Sequence, residues 1–136
     1  MPMVERSEPV MAQEGRGLAL DRYAYGQGSY NKDEVGRRQV TLINARFIKD
    51  SGFTPIETRR NLVVSDIELM WLIGREFSVG RAIFKGVKYC DPCRVPRSAA
   101  DPSLDFSKVF EDRGGLIAQI VVSGWIAVGD DVVPPT

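Results

Sequence analysis

Short apolar stretches separated by glycine, proline and charged residues run along the chain, and their pattern predicts a mainly β structure. The stretches "RQVTLI" and "RRNLVVSD" are rich in β-branched residues, and each predicts a strand. "REFSVGRAIFKGVKYC" predicts two short strands with a bend near Val79 and Gly80. "LIAQIVVSGWIAV" has the pattern of a hairpin that turns at Ser123 and Gly124.

Three further stretches predict short helices. "NARFIKDSG" predicts about two helical turns that end at its glycine. In "SDIELMWLIG", Ser65 and Glu68 have the spacing of a capping box, which predicts a helix that ends at Gly74. Asp101 and Pro102 predict the N-cap and the first position of another short helix.

These helices are too few and too scattered to alternate regularly with strands. We therefore predict a mainly β fold, barrel-like, with a few short helices. A length of 136 residues predicts one domain. We expect residues 1–16 to form a flexible N-terminal leader and residues 17–136 to form a single domain. In that domain, "GLALDRYAYGQGSYNKDEVG" is expected to be a long loop with one short strand.

Composition excludes several classes of partner. The chain has 18 basic and 18 acidic residues, so no net charge attracts it to nucleic acid or to a membrane surface. Its apolar runs are shorter than the roughly 18 residues of a membrane span. The N-terminus is polar and lacks the apolar core of a secretory signal. We therefore expect a soluble, cytoplasmic protein with reduced thiols and with no nucleic-acid or membrane partner.

The stretch "FKGVKYCDPCRVP" holds the two cysteines of a chain that has no histidine. A structural zinc site needs about four ligands, usually Cys and His, and this composition makes such a site a poor interpretation. A thiol–disulfide pair is a stronger one, since Cys-x-x-Cys is typical of thioredoxin-like sites. That chemistry requires the first thiol at a helix N-terminus, however, and Pro96 disfavours a helix there.

Two buried and inert thiols are a third possibility, because Cys is often buried. The neighbours Lys88, Arg94 and Arg97 instead favour an accessible cysteine in positive surroundings, where the thiolate is stabilised. The residues alone do not identify what such a thiolate binds.

The chain resembles the MOSC domain family, named for the C-terminal domain of molybdenum cofactor sulfurases. The resemblance covers residues 17–133, nearly the whole chain. It rests on five stretches in order: "GLALDRYAYGQGSY", "RQVTLI", "TRRNLVVSDIELMWLIGREFSVG", "CDPCRVP" and "GGLIAQIVVSGWIAVGDDV". It implies a mixed β-barrel and, as ligand, a pterin-bound molybdenum cofactor (molybdopterin) or a sulfur atom passed to or from one.

The resemblance assigns the principal role to the second cysteine. In cofactor-binding relatives, a cysteine in this late motif ligates molybdenum, and Cys93 occupies the matching position. Thiolates are soft ligands suited to such a metal. The same thiolate could instead carry sulfane sulfur as a persulfide, in exchange with a donor or acceptor protein. Cys90 is then a resolving thiol or part of the pocket wall.

Other family positions carry over as cofactor contacts. Arg59 and Asn61 match an Arg-x-Asn step that helps to hold the phosphate and pterin, and Thr41 matches a hydroxyl position near the same phosphate. Arg22 lies in a loop that lines the family's pocket. Asp91 falls where some relatives have a small polar residue, and its carboxylate would repel an anionic phosphate.

The sequence leaves open whether the protein is an enzyme. Without histidine, any general acid or base must be a carboxylate, Lys, Tyr or a cofactor oxygen. If it catalyses a reaction, the resemblance implies reduction of an N-hydroxylated compound, supplied with electrons by a separate reductase. The alternative from another class is a thiol–disulfide module that uses Cys90 and Cys93. A non-catalytic partner domain that retains only the fold is a third interpretation.

Overall fold

The computed structural model describes residues 9–14, 17–18, 40–92 and 96–135, and most of their regular structure is strand. The strands are β1 (Val10–Gln13), β2 (Gly17–Leu18), β3 (Val40–Asn44), β4 (Leu62–Val64), β5 (Glu76–Val79), β6 (Ala82–Tyr89), β7 (Leu116–Val122), β8 (Gly124–Ile126) and β9 (Val132–Val133). The α-helices are α1 (Ala45–Ile48) and α2 (Phe106–Val109), and single 3₁₀ turns span Ile56–Thr58 and Leu69–Leu72.

The strands form a six-stranded sheet in the order β4-β3-β7-β6-β5-β9 and a smaller sheet in the order β2-β1-β8. Within the larger sheet β3 and β4 are parallel, while the other neighbours are antiparallel. The larger sheet curves into a nearly closed, barrel-like form. The predicted fold class, mainly β and barrel-like with a few short helices, is therefore confirmed.

The two faces of the larger sheet bury different clusters. Leu42, Phe84 and Leu116 are fully buried in the main core, inside the barrel. Ile43, one residue after Leu42, points to the opposite face and packs in a second cluster that includes Phe106. Successive strand residues alternate between the faces of a sheet, so β3 contributes to both clusters. The second cluster is aromatic: the Phe106 and Phe110 rings stack with centroids 4.4 Å apart.

The strand predictions hold where the structure describes them. Strands β3 and β4 lie within the stretches "RQVTLI" and "RRNLVVSD", apart from one residue at the end of β3. Strands β5 and β6 form an antiparallel hairpin in which Val79 pairs with Ala82. Gly80, at the bend, has a φ of 54°. Residues 10–13 belong to the segment expected to be a flexible leader, but they form β1 and pair with β8, so that expectation is wrong for them.

The predicted hairpin at residues 116–128 is wrong. Strands β7 and β8 are consecutive but belong to different sheets, because β8 pairs with β1. The chain changes sheets at Gly124, where its backbone passes so close to Arg81 that a Cβ atom would lie 2.4 Å from the Arg81 carbonyl oxygen. The pairing partner of β8 is therefore β1, a strand that is distant in sequence, and not the adjacent β7.

All three helix predictions need correction. The stretch from Ser65 to Gly74 forms only the single 3₁₀ turn at Leu69–Leu72, and Glu68 is its N-cap. Asp66 adopts a left-handed conformation with φ 62°, which interrupts a helix at that residue. Helix α2 is capped by Asp105, not by Asp101, and the Asp105 side chain accepts a hydrogen bond from the Ser107 amide.

The stretch "NARFIKDSG" forms one turn of helix instead of two, because the backbone leaves the helical conformation at Lys49, where ψ is 128°. None of the helices within the described residues is long and apolar enough to cross a membrane.

The passage of Gly124 beside Arg81 yields the first prediction. In Gly124→Ala the added methyl group would meet backbone atoms, which cannot rotate away. We expect a loss of about 1–3 kcal/mol of unfolding free energy, measured from the urea midpoint. Val122→Ala is the control, since Val122 is exposed and surface substitutions usually change stability by about 0.5 kcal/mol or less. Equal midpoints for the two variants would contradict this view of the sheet junction.

Candidate functional site

Residues from three neighbouring strands, and the residue before a fourth, form a row across one face of the larger sheet. Thr41 on β3 lies opposite Ile117 on β7, and Ile117 lies opposite Lys88 on β6. Asn61, immediately before β4, extends the row by hydrogen bonds to Thr41. The structure therefore brings together Thr41 and Asn61, two of the residues that the family resemblance indicates.

The row and the first cysteine lie on the same face. Thr41 shares its side of β3 with Ile43, the face away from the barrel interior. Cys90 follows Lys88 by two residues and so projects to the same side of β6. Only β7 separates β3 from β6, which places the backbones of these strands about 10 Å apart. The polar pair and Cys90 thus lie on one face of the sheet, two strands apart, and both Thr41 and Cys90 are buried there.

Thr41 and Asn61 are tied to each other by three hydrogen bonds. Asn61 Oδ1 accepts from the Thr41 amide at 2.9 Å and from the Thr41 hydroxyl at 3.1 Å. In return, the backbone amide of Asn61 donates to Thr41 Oγ1 at 3.1 Å. The pair continues the parallel ladder of β3 and β4 through side chains, so its first role is structural. Because Oδ1 faces Thr41, the Nδ2 donors of Asn61 are directed away from it.

The two adjacent arginines differ in their surroundings. Arg59 has a left-handed backbone with φ 60°, and its side chain is exposed. Arg60 is half-buried: Nε donates to the Gly114 carbonyl at 2.7 Å and Nη1 to the Thr58 carbonyl at 3.2 Å. Its guanidinium carbon lies 5.3 Å from the Phe106 ring centroid. The family motif indicates Arg59 and Asn61 and not Arg60, whose main contact, with Gly114, is 54 residues away in sequence.

Cys90 is held inside the protein at the end of β6. Its side chain is 0% exposed, and its amide donates to the Gly115 carbonyl at 2.9 Å. Neighbouring Gly114 donates its amide to the Tyr89 hydroxyl at 3.3 Å. For Cys90, the expectation of an accessible thiol is therefore wrong. The next residue, Asp91, is exposed.

Cys93 and Arg22 lie outside the described residues, but the chain that follows Cys93 is firmly attached. The buried Ser98 donates its hydroxyl to the Gly52 carbonyl. Glu57 then accepts from the Ala99 amide at 2.8 Å and from the Thr54 amide at 2.9 Å. The segment that carries Cys93 is thus anchored on one side through Cys90 and on the other through Ser98.

Across the described ranges, no group of three or more Cys, Asp or Glu side chains is close enough to hold a metal ion.

A groove of about 420 Å³ lies elsewhere, along the seam between the two sheets. Its walls include Arg81, Trp125 and Asp130. Arg81 precedes β6 and Cys90 follows it, and a strand of this length spans about 26 Å, so the groove is remote from the cysteine. Of the residues indicated by the sequence, none of those that the structure describes lines this groove.

Comparisons with known proteins agree with this fold. The sequence model of the MOSC domain matches residues 30–133 of the chain. The crystal structure of the YuaD protein from Bacillus subtilis superposes with a TM-score of 0.72 and 16% identity, covering 91% of this chain and 82% of that one. YiiM from Escherichia coli gives a TM-score of 0.70 and 14% identity, covering 98% of this chain and 65% of YiiM. No curated protein matches the sequence.

The hydrogen bonds by which Glu57 holds the segment at Ala99 to Thr54 predict that the free energy of unfolding depends on pH. Hydrogen bonds from the backbone amides of Thr54 and Ala99 lower the pKa of Glu57 below its ordinary value of 4.5. A carboxyl with a lowered pKa contributes stability that is fully present above the ordinary value and is lost as pH falls through the lowered one. We therefore expect Glu57→Gln to lower the urea midpoint at pH 7, and the difference from wild type to shrink towards about pH 3.

Glu111→Gln is the matched control, because Glu111 is an exposed carboxylate far along the chain. It should leave the midpoint close to that of wild type at both pH values. A deficit in Glu57→Gln that stays constant between pH 7 and pH 3 would show that the carboxylate charge does not hold the segment.

Proposed function

This chain belongs to the MOSC domain family, and we propose that it binds a molybdenum cofactor, with the Cys93 thiolate as the ligand to the metal or as a carrier of its sulfur. The observation that carries the proposal is the shared face of the sheet. The Thr41–Asn61 pair lies on that face, and Cys90, three residues before Cys93, lies on it two strands away, although these residues are distant in sequence. Polar groups near Thr41 and a soft thiolate near Cys90 would match the two ends of a phosphorylated pterin that carries a metal.

The phosphate end would lie nearer to residues 59–61 than to the cysteine segment. Arg59 is exposed beside Asn61, and its forked guanidinium suits a phosphate group. Thr41 would act on the ligand through Asn61, because its amide and its hydroxyl both donate to Asn61 Oδ1 and hold that side chain beside Arg59. Arg22, in the preceding loop, joins this set by the family resemblance. The exposed carboxylate of Asp91 follows Cys90 directly and would repel a phosphate placed there, so the charges favour one orientation of the ligand.

When bound, the cofactor would supply a molybdenum centre able to exchange oxygen or sulfur and to accept electrons. The chain's part is to hold it, to orient it and to offer a thiolate. In the sulfur-carrier form of the proposal, the Cys93 thiolate attacks the outer sulfur of a persulfide on a donor protein. Cys93 then carries the persulfide and the donor leaves as a thiolate, so that no net oxidation occurs.

Catalysis, if the protein has it, would be reduction of an N-hydroxylated compound. Two electrons from a separate reductase and two protons would convert the N–OH group into N–H and water. Since the chain has no histidine, the proton donors would be Lys, Tyr, a carboxyl group or the cofactor itself. The proposed partners are thus a reductase or a sulfur donor or acceptor, in the cytoplasm, where thiols remain reduced.

The alternative, a thiol–disulfide module, has less support. Its attacking thiol needs an accessible position at the N-terminus of a helix. Cys90 instead follows a strand and is completely buried. A buried thiol next to an anchored segment suits a structural role for Cys90 and leaves the ligand role to Cys93.

The proposal is tested by the molybdenum and pterin content of protein made in a host that synthesises the cofactor. Wild type should contain both in stoichiometric amounts, and Cys93→Ser should lose the molybdenum because a hydroxyl is a poor ligand for it. Cys90→Ser is the control and should retain most of the metal. Wild-type protein without molybdenum would exclude binding of the complete cofactor. Equal loss in both variants would indicate a mechanism that needs the two thiols together.

A further inference from the structure

The two halves of the site belong to segments that are distant in sequence, and one side chain connects them. The first half is the turn at residues 59–61. The second half, here called the cysteine corner, consists of Cys90–Pro92 together with Gly114 and Gly115. We infer that Arg60 is a positioning residue that fixes the cysteine corner relative to the turn. The functional role of Arg60 rests on the proposed function, in which the turn and the cysteine corner hold the same ligand.

Arg60 is fixed at several points. Its Nε bond to the Gly114 carbonyl is short, at 2.7 Å, and Nη1 donates to the Thr58 carbonyl at 3.2 Å. The Phe106 ring, part of the second aromatic cluster, lies under the guanidinium at 5.3 Å. Because the guanidinium is a planar and rigid fork, these contacts set the position of Gly114 relative to Thr58.

Gly114 transmits this position to the cysteine corner. A Cβ atom on Gly114 would lie 2.1 Å from the Cys90 carbonyl oxygen and 3.0 Å from Pro92 Cδ, so the backbones are in direct contact. Gly115 accepts the hydrogen bond of the Cys90 amide. Any displacement of Gly114 therefore moves the residues from which the chain continues to Cys93.

Stability alone does not explain an arginine at this position. Nη2 of Arg60 is buried and has no hydrogen-bond partner, the one such side-chain atom in the ranges that the structure describes. Within the same ranges the ion pair is Arg46–Glu68, so Arg60 has no carboxylate beside it. A buried donor without an acceptor opposes folding. An apolar chain of similar length would cover Phe106 without this penalty, but it could not hold two carbonyl groups at once.

The test measures how often the cysteine corner opens. In a Cys93→Ser background Cys90 is the single thiol, and its buried side chain reacts with a disulfide reagent such as DTNB only after opening. Arg60→Met should raise the rate of labelling about tenfold or more, through the loss of hydrogen bonds to a charged donor. The rate should be independent of urea at low concentrations, since local opening exposes little surface.

Arg75→Met is the matched control. Arg75 also donates Nε to a backbone carbonyl, that of Trp71 at 2.9 Å, and its guanidinium lies 4.8 Å from the Trp71 ring centroid. It connects residues within one turn, however, and does not reach the cysteine corner. Its labelling rate should equal that of the parent protein. An unchanged rate in Arg60→Met, or a rate that rises with urea in step with global unfolding, would overturn the inference.

Arg60→Lys provides a second variant if Arg60→Met folds poorly. A lysine can reach one carbonyl but cannot form the fork, so we expect a labelling rate between those of the parent and Arg60→Met. A lysine variant as open as the methionine variant would contradict a positioning role for the cation.

The labelling uses protein without metal, so it decides the inference even if the wild type proves to bind no molybdenum. If the wild type does bind it, Arg60→Met should lose the metal and Arg75→Met should keep it.

Discussion

The close passage of the backbone at Gly114 and Gly115 is the constraint on which the rest of the site depends. A side chain at Gly115 would lie 2.0 Å from the Leu42 carbonyl oxygen, and one at Gly114 would lie 2.1 Å from that of Cys90. These glycines lead into β7, the strand between β3 and β6. Their lack of side chains lets the strands that carry Thr41 and Cys90 approach the same strand end. The spacing of the functional groups is thus determined by backbone contact.

Because successive residues of a strand face opposite sides of the sheet, the residues of the apolar core and the residues of the candidate site lie on different faces. On β3, Leu42 is buried in the barrel interior, while its neighbours Thr41 and Ile43 face the other side. The apolar interior does not have to accommodate the polar pair, of which Thr41 is buried and Asn61 is half-buried on the outer face. The aromatic cluster around Phe106 supports that outer face next to the polar row. Arg60 lies where this cluster meets the cysteine corner, and it belongs to both.

Local patterns in the sequence were sufficient for most strands and for the fold class. β-branched runs and the Val79–Gly80 bend carry their signal within a few residues, and the structure places β3 to β6 accordingly. Features that depend on distant residues were not predictable. The partner of β8 is β1, more than a hundred residues earlier, so a local pattern suggested a hairpin with β7 instead. The burial of Cys90 likewise depends on distant glycines, and its charged sequence neighbours gave the opposite expectation.

For Arg59 and Arg60 too, the sequence motif indicated one residue, and contacts with distant residues determine the position of the other. The motif drew attention to Arg59, which the structure leaves at the surface, while Arg60 reaches inward to Gly114, 54 residues later. Their separate environments suit separate tasks. An exposed guanidinium can exchange water for an anionic group at little cost, whereas a guanidinium already bonded to two carbonyls has fewer donors to offer and a more rigid position. One arginine would then contact the ligand, and the other would hold the cysteine corner in place. A chain with only one of the two arginines could not perform both functions.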